Sequence, residues 1–349
     1  MDPNSLKALQ GAAGAAGGGS VDIAVAHATS PYISVYPWDA GFGTKYSDPS
    51  TLPAGTGQGV AFSPDGADIA VGHNTTPYIS VYPWSSDSGF GTKYADPSTT
   101  PTGDVTGVAF SPDGADIAVS HNTSPYVTAW PWSSGFGTKY SDPSTVPSTV
   151  GWAVAFSPSG DDITVAHAYS PHVSVYPWSG SGFGTKYSDA SPVVVAGGYG
   201  VTFSPDEADI AVAHTGSPCV AVFPWSGSGF GTKYSDPSTV LLHHGRAIAF
   251  SPDGADIAIG TTSPSPYIGM YPWTSGSGFG AMYSDPSTTP TGGVYGVVWS
   301  PDGADIALAH NTSPYISVYP WSGSGFGTKY SDPSTTPTGN GWSCAFSPA

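Results

Sequence analysis

The sequence predicts an all-β protein built from seven copies of one unit, because two motifs recur along the chain with the same step. A Pro-Trp dipeptide repeats every 46 to 48 residues, and an aromatic residue followed by Ser-Pro repeats with nearly the same period. No stretch has the apolar periodicity of a helix. The tryptophans are Trp38, Trp84, Trp132, Trp178, Trp225, Trp273 and Trp321. The aromatic residues of the second motif are Phe62, Phe110, Phe156, Phe203, Phe250, Trp299 and Phe346.

Strand and turn signals alternate within each copy. In the copy that contains Phe62, VAFSP is a short run of β-forming residues, DGA supplies the Asp-Gly turn of a tight hairpin, and DIAVGH is a second strand. After an NTTP turn, YISVYPW alternates as a third strand, and TKY beyond a glycine loop is expected to form a short fourth strand. Seven such copies predict a seven-bladed β-propeller of four-stranded antiparallel blades over residues 21–349.

The FSPDG motif followed by an apolar strand resembles the WD-repeat type of β-propeller over essentially all of residues 21–349. Two signatures of that family are missing. The third strand ends in YPW instead of Trp-Asp, and in place of a Gly-His pair before the first strand the recurrent histidine lies at the end of the second strand. We therefore expect packing of the proline and tryptophan to replace the family's hydrogen-bonded network. The near-identical copies of GFGTKYSDPST also resemble repetitive propeller proteins of tailed bacteriophages.

Composition excludes several classes of partner. The net charge is −17, and Arg246 is the only arginine beside seven lysines, so the chain lacks the basic footprint that nucleic acid or an anionic membrane surface requires. No apolar run is long enough to insert into a membrane as a helix. Cys219 and Cys344 lie in different copies and are expected to fill apolar space. No catalytic or cofactor-binding motif is present, so we expect neither a cofactor nor a bound metal.

The recurrent polar residues are expected to be structural. Positions related by the repeat are spread around a ring, whereas the ligands of one metal ion must converge on it. The same argument applies to the turn carboxylates Asp65 and Asp68 and their equivalents. Thr261 replaces the histidine in the sixth copy. The six histidines are His27, His73, His121, His167, His214 and His310.

One position varies freely where the rest of the copy is nearly constant, four residues before the aromatic residue of the first strand. In a propeller it would surround the mouth of the central channel, where aromatic faces and a few polar groups suit a sugar ring or a protein patch. The alternative is that the aromatic residues close the mouth by packing. His243 and His244 belong to the same variable region. The candidate binding residues are Gln58, Thr106, Trp152, Tyr199, Arg246, Tyr295 and Trp342.

The two ends of the chain predict how the ring closes. SCAFSPA at 343–349 stops where VDIAVAH at 21–27 begins, so together they complete one copy, with the innermost strand supplied by the C-terminus. Residues 1–20 are expected to form an anchoring segment of a short helical turn and a flexible stem, or an engineered linker.

These features predict a non-enzymatic binding protein, because the polar residues repeat and the only glutamate, Glu207, lies in a turn. The leading hypothesis is a surface component of a phage particle, such as a fibre, tail or capsid decoration protein. It would contact other virion proteins through residues 1–20 and a host-surface glycan or protein through the mouth, with homo-oligomers as one option. The alternative is a cytoplasmic protein-interaction scaffold. An enzyme ranks third.

Overall fold

The computed structural model describes residues 21–241 and 244–349, and in this part of the chain every regular element is a β-strand. The predicted anchoring segment 1–20 and His243 lie outside the described residues. In chain order the strands are β1 (Val21–His27), β2 (Ile33–Trp38), β3 (Gly57–Phe62), β4 (Asp68–His73), β5 (Ile79–Ser85), β6 (Gly89–Phe90), β7 (Val105–Phe110), β8 (Asp116–His121), β9 (Val127–Pro131), β10 (Gly151–Phe156), β11 (Asp162–His167), β12 (Val173–Pro177), β13 (Gly198–Phe203), β14 (Asp209–His214), β15 (Val220–Pro224), β16 (Gly245–Phe250), β17 (Asp256–Thr261), β18 (Ile268–Thr274), β19 (Gly278–Phe279), β20 (Val294–Trp299), β21 (Asp305–His310), β22 (Ile316–Pro320) and β23 (Gly341–Phe346).

The strands form seven antiparallel sheets, one for each copy, which confirms the predicted seven-bladed β-propeller. In each blade the strand that ends at the recurring aromatic residue before Ser-Pro is innermost, and the innermost strands of successive blades contact one another around the ring. Their order is β3, β7, β10, β13, β16, β20 and β23, and β23 contacts β3. No helix in the described residues is both long and apolar enough to cross a membrane.

The outermost strand of each blade is short. Two blades contain two-residue strands, β6 and β19, and the other five have a single bridge such as Trp38 to Phe42. We expected the TKY segment to be the fourth strand. It forms a single ladder-type hydrogen bond to the third strand, in which the Tyr46 N–H donates to the Val35 carbonyl at 2.9 Å. Pro37 in the third strand has no N–H to donate, so the ladder cannot continue at that point.

The ring closes through the C-terminal strand, as the ends of the chain predicted. β23 pairs antiparallel with β1, and Phe346 lies opposite Ile23. Beyond this ladder, the Ser347 N–H donates to the Asp22 carbonyl at 2.8 Å, and the Asp22 N–H donates to the Ser347 hydroxyl at 2.8 Å. The first blade therefore has the same three-strand order as the others, with its innermost strand taken from the other end of the chain.

A buried carboxylate joins each blade to the next. Asp22 accepts a hydrogen bond from the Tyr46 hydroxyl of its own copy at 2.9 Å and one from Trp84 Nε1 of the next copy at 3.0 Å. Burial raises the pKa of Asp22, and the two hydrogen bonds act in the opposite direction. The expectation that packing alone replaces the network was therefore wrong, because the Pro-Trp tryptophan is also a hydrogen-bond donor. The seven acceptors are Asp22, Asp68, Asp116, Asp162, Asp209, Asp256 and Asp305.

Removing one of these carboxylates should destabilise the ring. In an Asp305→Ala variant, Trp38 Nε1 and the Tyr330 hydroxyl lose their acceptor. Because buried donors without partners are costly, we expect the free energy of unfolding in urea to fall by about 2–4 kcal/mol. Asp332→Ala is the matched control, since Asp332 pairs only with Lys329 at the surface and should cost less than about 1 kcal/mol. Equal losses in the two variants would contradict an interblade role for Asp305.

The histidines are buried and bonded within their own blades. In five of the six, Nε2 lies 2.9–3.1 Å from a serine or threonine hydroxyl of the third strand, such as Ser34 beside His27. In the sixth copy of the repeat, the histidine and the hydroxyl residue are both absent, and Thr261 and Gly269 stand at the two positions. Leu241 occupies the space beside Gly269. Within the described part of the chain, no three potential ligands are grouped to hold a metal ion.

Candidate functional site

The seven variable residues lie together at one end of the central channel, where they line a cavity of about 380 Å³. Each comes from the innermost strand of a different blade, at the second residue of that strand or next to it. We call these seven residues, from Gln58 to Trp342, the mouth ring. The channel below them is lined by the next two residues of each strand, which are small or aliphatic.

A β-bulge places each mouth-ring side chain. In the second copy, Gly57 pairs with His73 and Gly59 pairs with Gly72, so Gln58 is an extra residue without a partner on β4. The same shift in register occurs at the variable position of all seven blades. Bulges redirect a side chain out of the regular alternation. The variable side chains therefore converge on the channel while the rest of each strand keeps its core pairing.

Close packing of the innermost strands explains the small residue after each bulge. A Cβ on Gly59 would lie 3.1 Å from the Cα of Gly107 in the next blade, so the two backbones approach closely here. Glycine, alanine or serine occupies this position in every copy. The small residues bring the bulges of neighbouring blades close together, and this lets large aromatic side chains meet across the blade boundaries.

Five consecutive members of the mouth ring form a continuous arc. Trp152 stacks on Tyr199 with ring centroids 4.9 Å apart and an interplanar angle of 29°. The Arg246 Cζ lies 3.7 Å from the centroid of Tyr199 and 5.9 Å from that of Tyr295. Tyr295 meets Trp342 edge to face at 4.6 Å. Arg246 thus lies between two tyrosine rings at the centre of the arc, a geometry that fixes its guanidinium by cation–π attraction.

The remaining two members, Gln58 and Thr106, form a polar gap in the arc. The Thr106 hydroxyl donates a hydrogen bond to the Gly151 carbonyl of the next blade at 2.6 Å. This small side chain therefore stays close to the wall and leaves space in the mouth ring. Arg246 is three blades away from Gln58 in one direction and three from Thr106 in the other. The guanidinium and the gap therefore lie on opposite sides of the channel.

The mouth ring contains buried polar atoms without a hydrogen-bond partner among the described residues. They are Gln58 Oε1, Trp152 Nε1, Arg246 Nε and Trp342 Nε1. Buried polar groups are nearly always paired in folded proteins, so four such atoms in one ring indicate hydrogen-bonding capacity reserved for something else. This observation favours a binding site over aromatic packing that merely closes the channel.

Among the residues that the structure describes, Arg246 also has no ionic partner. Each of the six lysines in the described residues pairs with the aspartate three positions later, as Lys45 does with Asp48. Arg246 forms no such pair, and no member of the mouth ring carries a carboxylate. Glu207 instead bonds the Ser159 N–H from its turn between strands. The mouth ring therefore presents one positive charge, beside aromatic faces, in a strongly acidic protein.

Solved structures share this fold over nearly the whole lengths of both chains. A Bacteroides uniformis protein, provisionally named a 6-phosphogluconolactonase, is 15% identical with a TM-score of 0.71, covering 94% of this chain and 99% of its own. The periplasmic gluconolactonase of Pseudomonas aeruginosa is 17% identical with a TM-score of 0.71 and the same coverage. A Desulfotomaculum acetoxidans protein of unknown function is 12% identical with a TM-score of 0.69, covering 95% and 99%. No protein-family model and no curated protein sequence matches this chain.

The comparison corrects the functional prediction. We expected a non-enzymatic phage surface component or an intracellular scaffold, but three of the structures that share the fold are named as lactonases, which are hydrolases. They also give no evidence for the WD-repeat or phage resemblance. The expectation treated sevenfold repetition as evidence against chemistry, although the copies differ at the mouth ring. The location, the oligomeric state and the partners of residues 1–20 stay predictions.

Proposed function

We propose that the protein binds a lactone in the mouth ring and opens it by hydrolysis, with Arg246 stabilising the negative charge that develops on the carbonyl oxygen. The observation that carries this proposal is the unpaired Arg246 guanidinium, 3.7 Å above the Tyr199 ring in a cavity lined by aromatic faces. The lactonase names of the fold neighbours supply the substrate class. A sugar lactone has flat, C–H-rich faces that can stack on the face of Trp152 turned away from Tyr199, and hydroxyl groups for the unpaired atoms.

The reaction needs only electrostatic help at the carbonyl. A water molecule adds to the carbonyl carbon and gives up a proton to a second water molecule, and the carbonyl oxygen becomes an oxyanion that accepts hydrogen bonds from the Arg246 guanidinium. The bond between this carbon and the ring oxygen then breaks, and the ring oxygen takes a proton from water to become a hydroxyl. Donors placed in advance at a developing oxyanion are usually the largest catalytic contribution in such reactions.

Gln58 can contribute from the opposite side of the channel. Its Oε1 is buried and has no protein partner, and it lies across the mouth ring from Arg246. An amide oxygen accepts a hydrogen bond from water or from a substrate hydroxyl. We therefore place Gln58 as a positioning residue for the water or the sugar ring, and Arg246 as the electrophilic group.

Replacing Arg246 tests the proposal. The protein should accelerate ring opening of glucono-δ-lactone and of its 6-phosphate, measured in a pH-stat near pH 6, where the spontaneous reaction is slow. We expect Arg246→Met to lower kcat/KM by about 10²-fold or more, the usual effect of removing an oxyanion donor. The two lactones together show whether the single arginine prefers a neutral or a phosphorylated ring.

Lys329→Met is the matched control. It removes a cation from the outer edge of the last blade, and the sixth copy already carries Met282 at the equivalent position, so the fold tolerates the change. Its kcat/KM should stay within about twofold of the wild type, because Lys329 does not line the mouth-ring cavity and its ion pair with the half-exposed Asp332 contributes little. A wild-type protein that opens neither lactone, or an Arg246→Met variant as active as the control, would contradict the proposal.

A further inference from the structure

Apolar side chains are exposed on the rim of the mouth at the fourth and fifth blades. Tyr169, in the turn between β11 and β12, is 70% exposed, and Val195, in the connection from β12 to β13, is 67% exposed. Val193 in the same connection is 42% exposed. We call these three residues the apolar rim. The neighbouring connection to β16 adds Val240, which is 37% exposed.

The fold does not require this exposure. In three other copies the residue equivalent to Val195 is a threonine, whose hydroxyl donates to a carbonyl of the neighbouring turn at 2.7–2.9 Å. Tyr169 replaces a threonine of the Asn-Thr turns, such as Thr312. The Ser148 hydroxyl keeps the equivalent hydrogen bond to the Tyr169 carbonyl in the fourth blade, whereas the fifth blade gives it up at Val195. Both Tyr169 and Val195 place apolar surface in water, which costs free energy.

The apolar rim is continuous with the mouth ring on its catalytic side. The connection that carries Val193 and Val195 leads directly into Gly198 and the bulge at Tyr199. A Cβ on Gly197 would lie 3.1 Å from the Ala168 carbonyl oxygen, so the connection packs against the turn that carries Tyr169. Tyr199 is the ring on which Arg246 lies. A molecule whose carbonyl reaches Arg246 can therefore extend outward over the apolar rim.

We propose that the apolar rim binds a hydrocarbon arm of the substrate, so that the preferred lactone carries an alkyl or aryl substituent in addition to its ring. This inference rests on the proposed lactone hydrolysis. The ring stacks within the arc, its carbonyl oxygen meets Arg246, and the substituent leaves water by lying along Tyr169 and Val195. The occupant is apolar because all three rim side chains are apolar or aromatic and none is charged.

A series of δ-lactones of increasing chain length tests the inference. Transfer of one methylene from water is worth up to about fourfold in affinity, so kcat/KM for δ-decalactone should exceed that for δ-hexalactone by about tenfold or more. The variant Tyr169→Thr, Val193→Thr, Val195→Thr restores the residues found in other copies and should fold normally. It should lose this preference and keep the wild-type kcat/KM for glucono-δ-lactone within about twofold.

Calorimetric binding of the matching δ-lactams, which do not open, separates this inference from the hydrolysis itself. Affinity that rises with chain length in the wild type and stays constant in the triple variant supports binding of the hydrocarbon arm to the apolar rim. If no lactone is opened in the same experiments, only the proposed hydrolysis is rejected. Glucono-δ-lactone opened at an Arg246-dependent rate, with equal kcat/KM for short and long alkyl lactones, would overturn the rim and leave the hydrolysis standing. A preference kept in the triple variant would also overturn it.

Discussion

Deletion of residues 341–349 is expected to abolish the cooperative unfolding transition of the native ring. The deletion removes β23, which supplies the innermost strand of the first blade and contacts the innermost strands on both sides. It would expose the edge of β1 and the apolar faces of two neighbouring blades, and such unpaired edges promote aggregation. We expect the truncated protein to be insoluble or to lack the thermal transition of the full chain.

A single substitution measures the same closure in a protein that still folds. Phe346 is buried and lies edge to face with Trp38 at 6.1 Å. Phe346→Ala should lower the free energy of unfolding by about 3–5 kcal/mol, the usual cost of removing a buried phenylalanine. The equivalent Phe62→Ala should cost a similar amount, because Phe62 holds the same position in a blade made from continuous chain. A truncated protein that melts like the full chain would show that β23 is not part of the ring.

Acid should destabilise the protein steeply between pH 6.5 and about pH 4. Burial lowers the pKa of six histidines from 6.5 to about 4, so the native state keeps them neutral while the unfolded chain binds protons. The stability they contribute is complete above pH 6.5 and is lost as the pH falls towards 4. Each histidine contributes up to about 1.4 kcal/mol per pH unit in this range, so the six together set an upper limit of about 8 kcal/mol per pH unit.

Buried carboxylates oppose part of this effect. Burial raises the pKa of Asp22, Asp162 and Asp256, so these groups bind protons more readily in the native state and favour folding as the pH falls. Urea unfolding at a series of pH values measures the net slope. His214→Thr, which copies the natural Thr261, should reduce the proton uptake on unfolding by about one near pH 5. Stability that is constant between pH 6.5 and 4.5 would contradict the assignment of neutral, buried histidines.

The sequence predicted the fold well because the repeat encodes it locally. The Asp-Gly turns, the alternation of YISVYPW and the divided first blade each correspond to a feature of the ring. The interblade network was harder to predict, because Trp84 and Asp22 are 62 residues apart and their contact depends on how the blades pack. The fourth strand was misplaced because TKY by itself is a short β-forming run. Its pairing stops for a reason outside the run, since Pro37 in the neighbouring third strand has no backbone N–H to donate.

The candidate site was predicted by position and not by chemistry. Variation among the copies identified all seven residues of the mouth ring, since a residue that the fold does not constrain is free to differ. Their mutual contacts could not be predicted, because the stack of Trp152, Tyr199 and Arg246 depends on bulges at the start of each innermost strand. Tyr169 and Val195 also differ from the other copies, and the same comparison could have found them.

The proposed lactone site is tested most directly by a crystal structure of the protein soaked with glucono-δ-lactam. Hydrolysis does not open this analogue under mild conditions. We expect the sugar ring to lie against Trp152 in the cavity, with its carbonyl oxygen within hydrogen-bond distance of the Arg246 guanidinium. Electron density for the lactam elsewhere on the protein, or an empty mouth ring at saturating concentration, would contradict it.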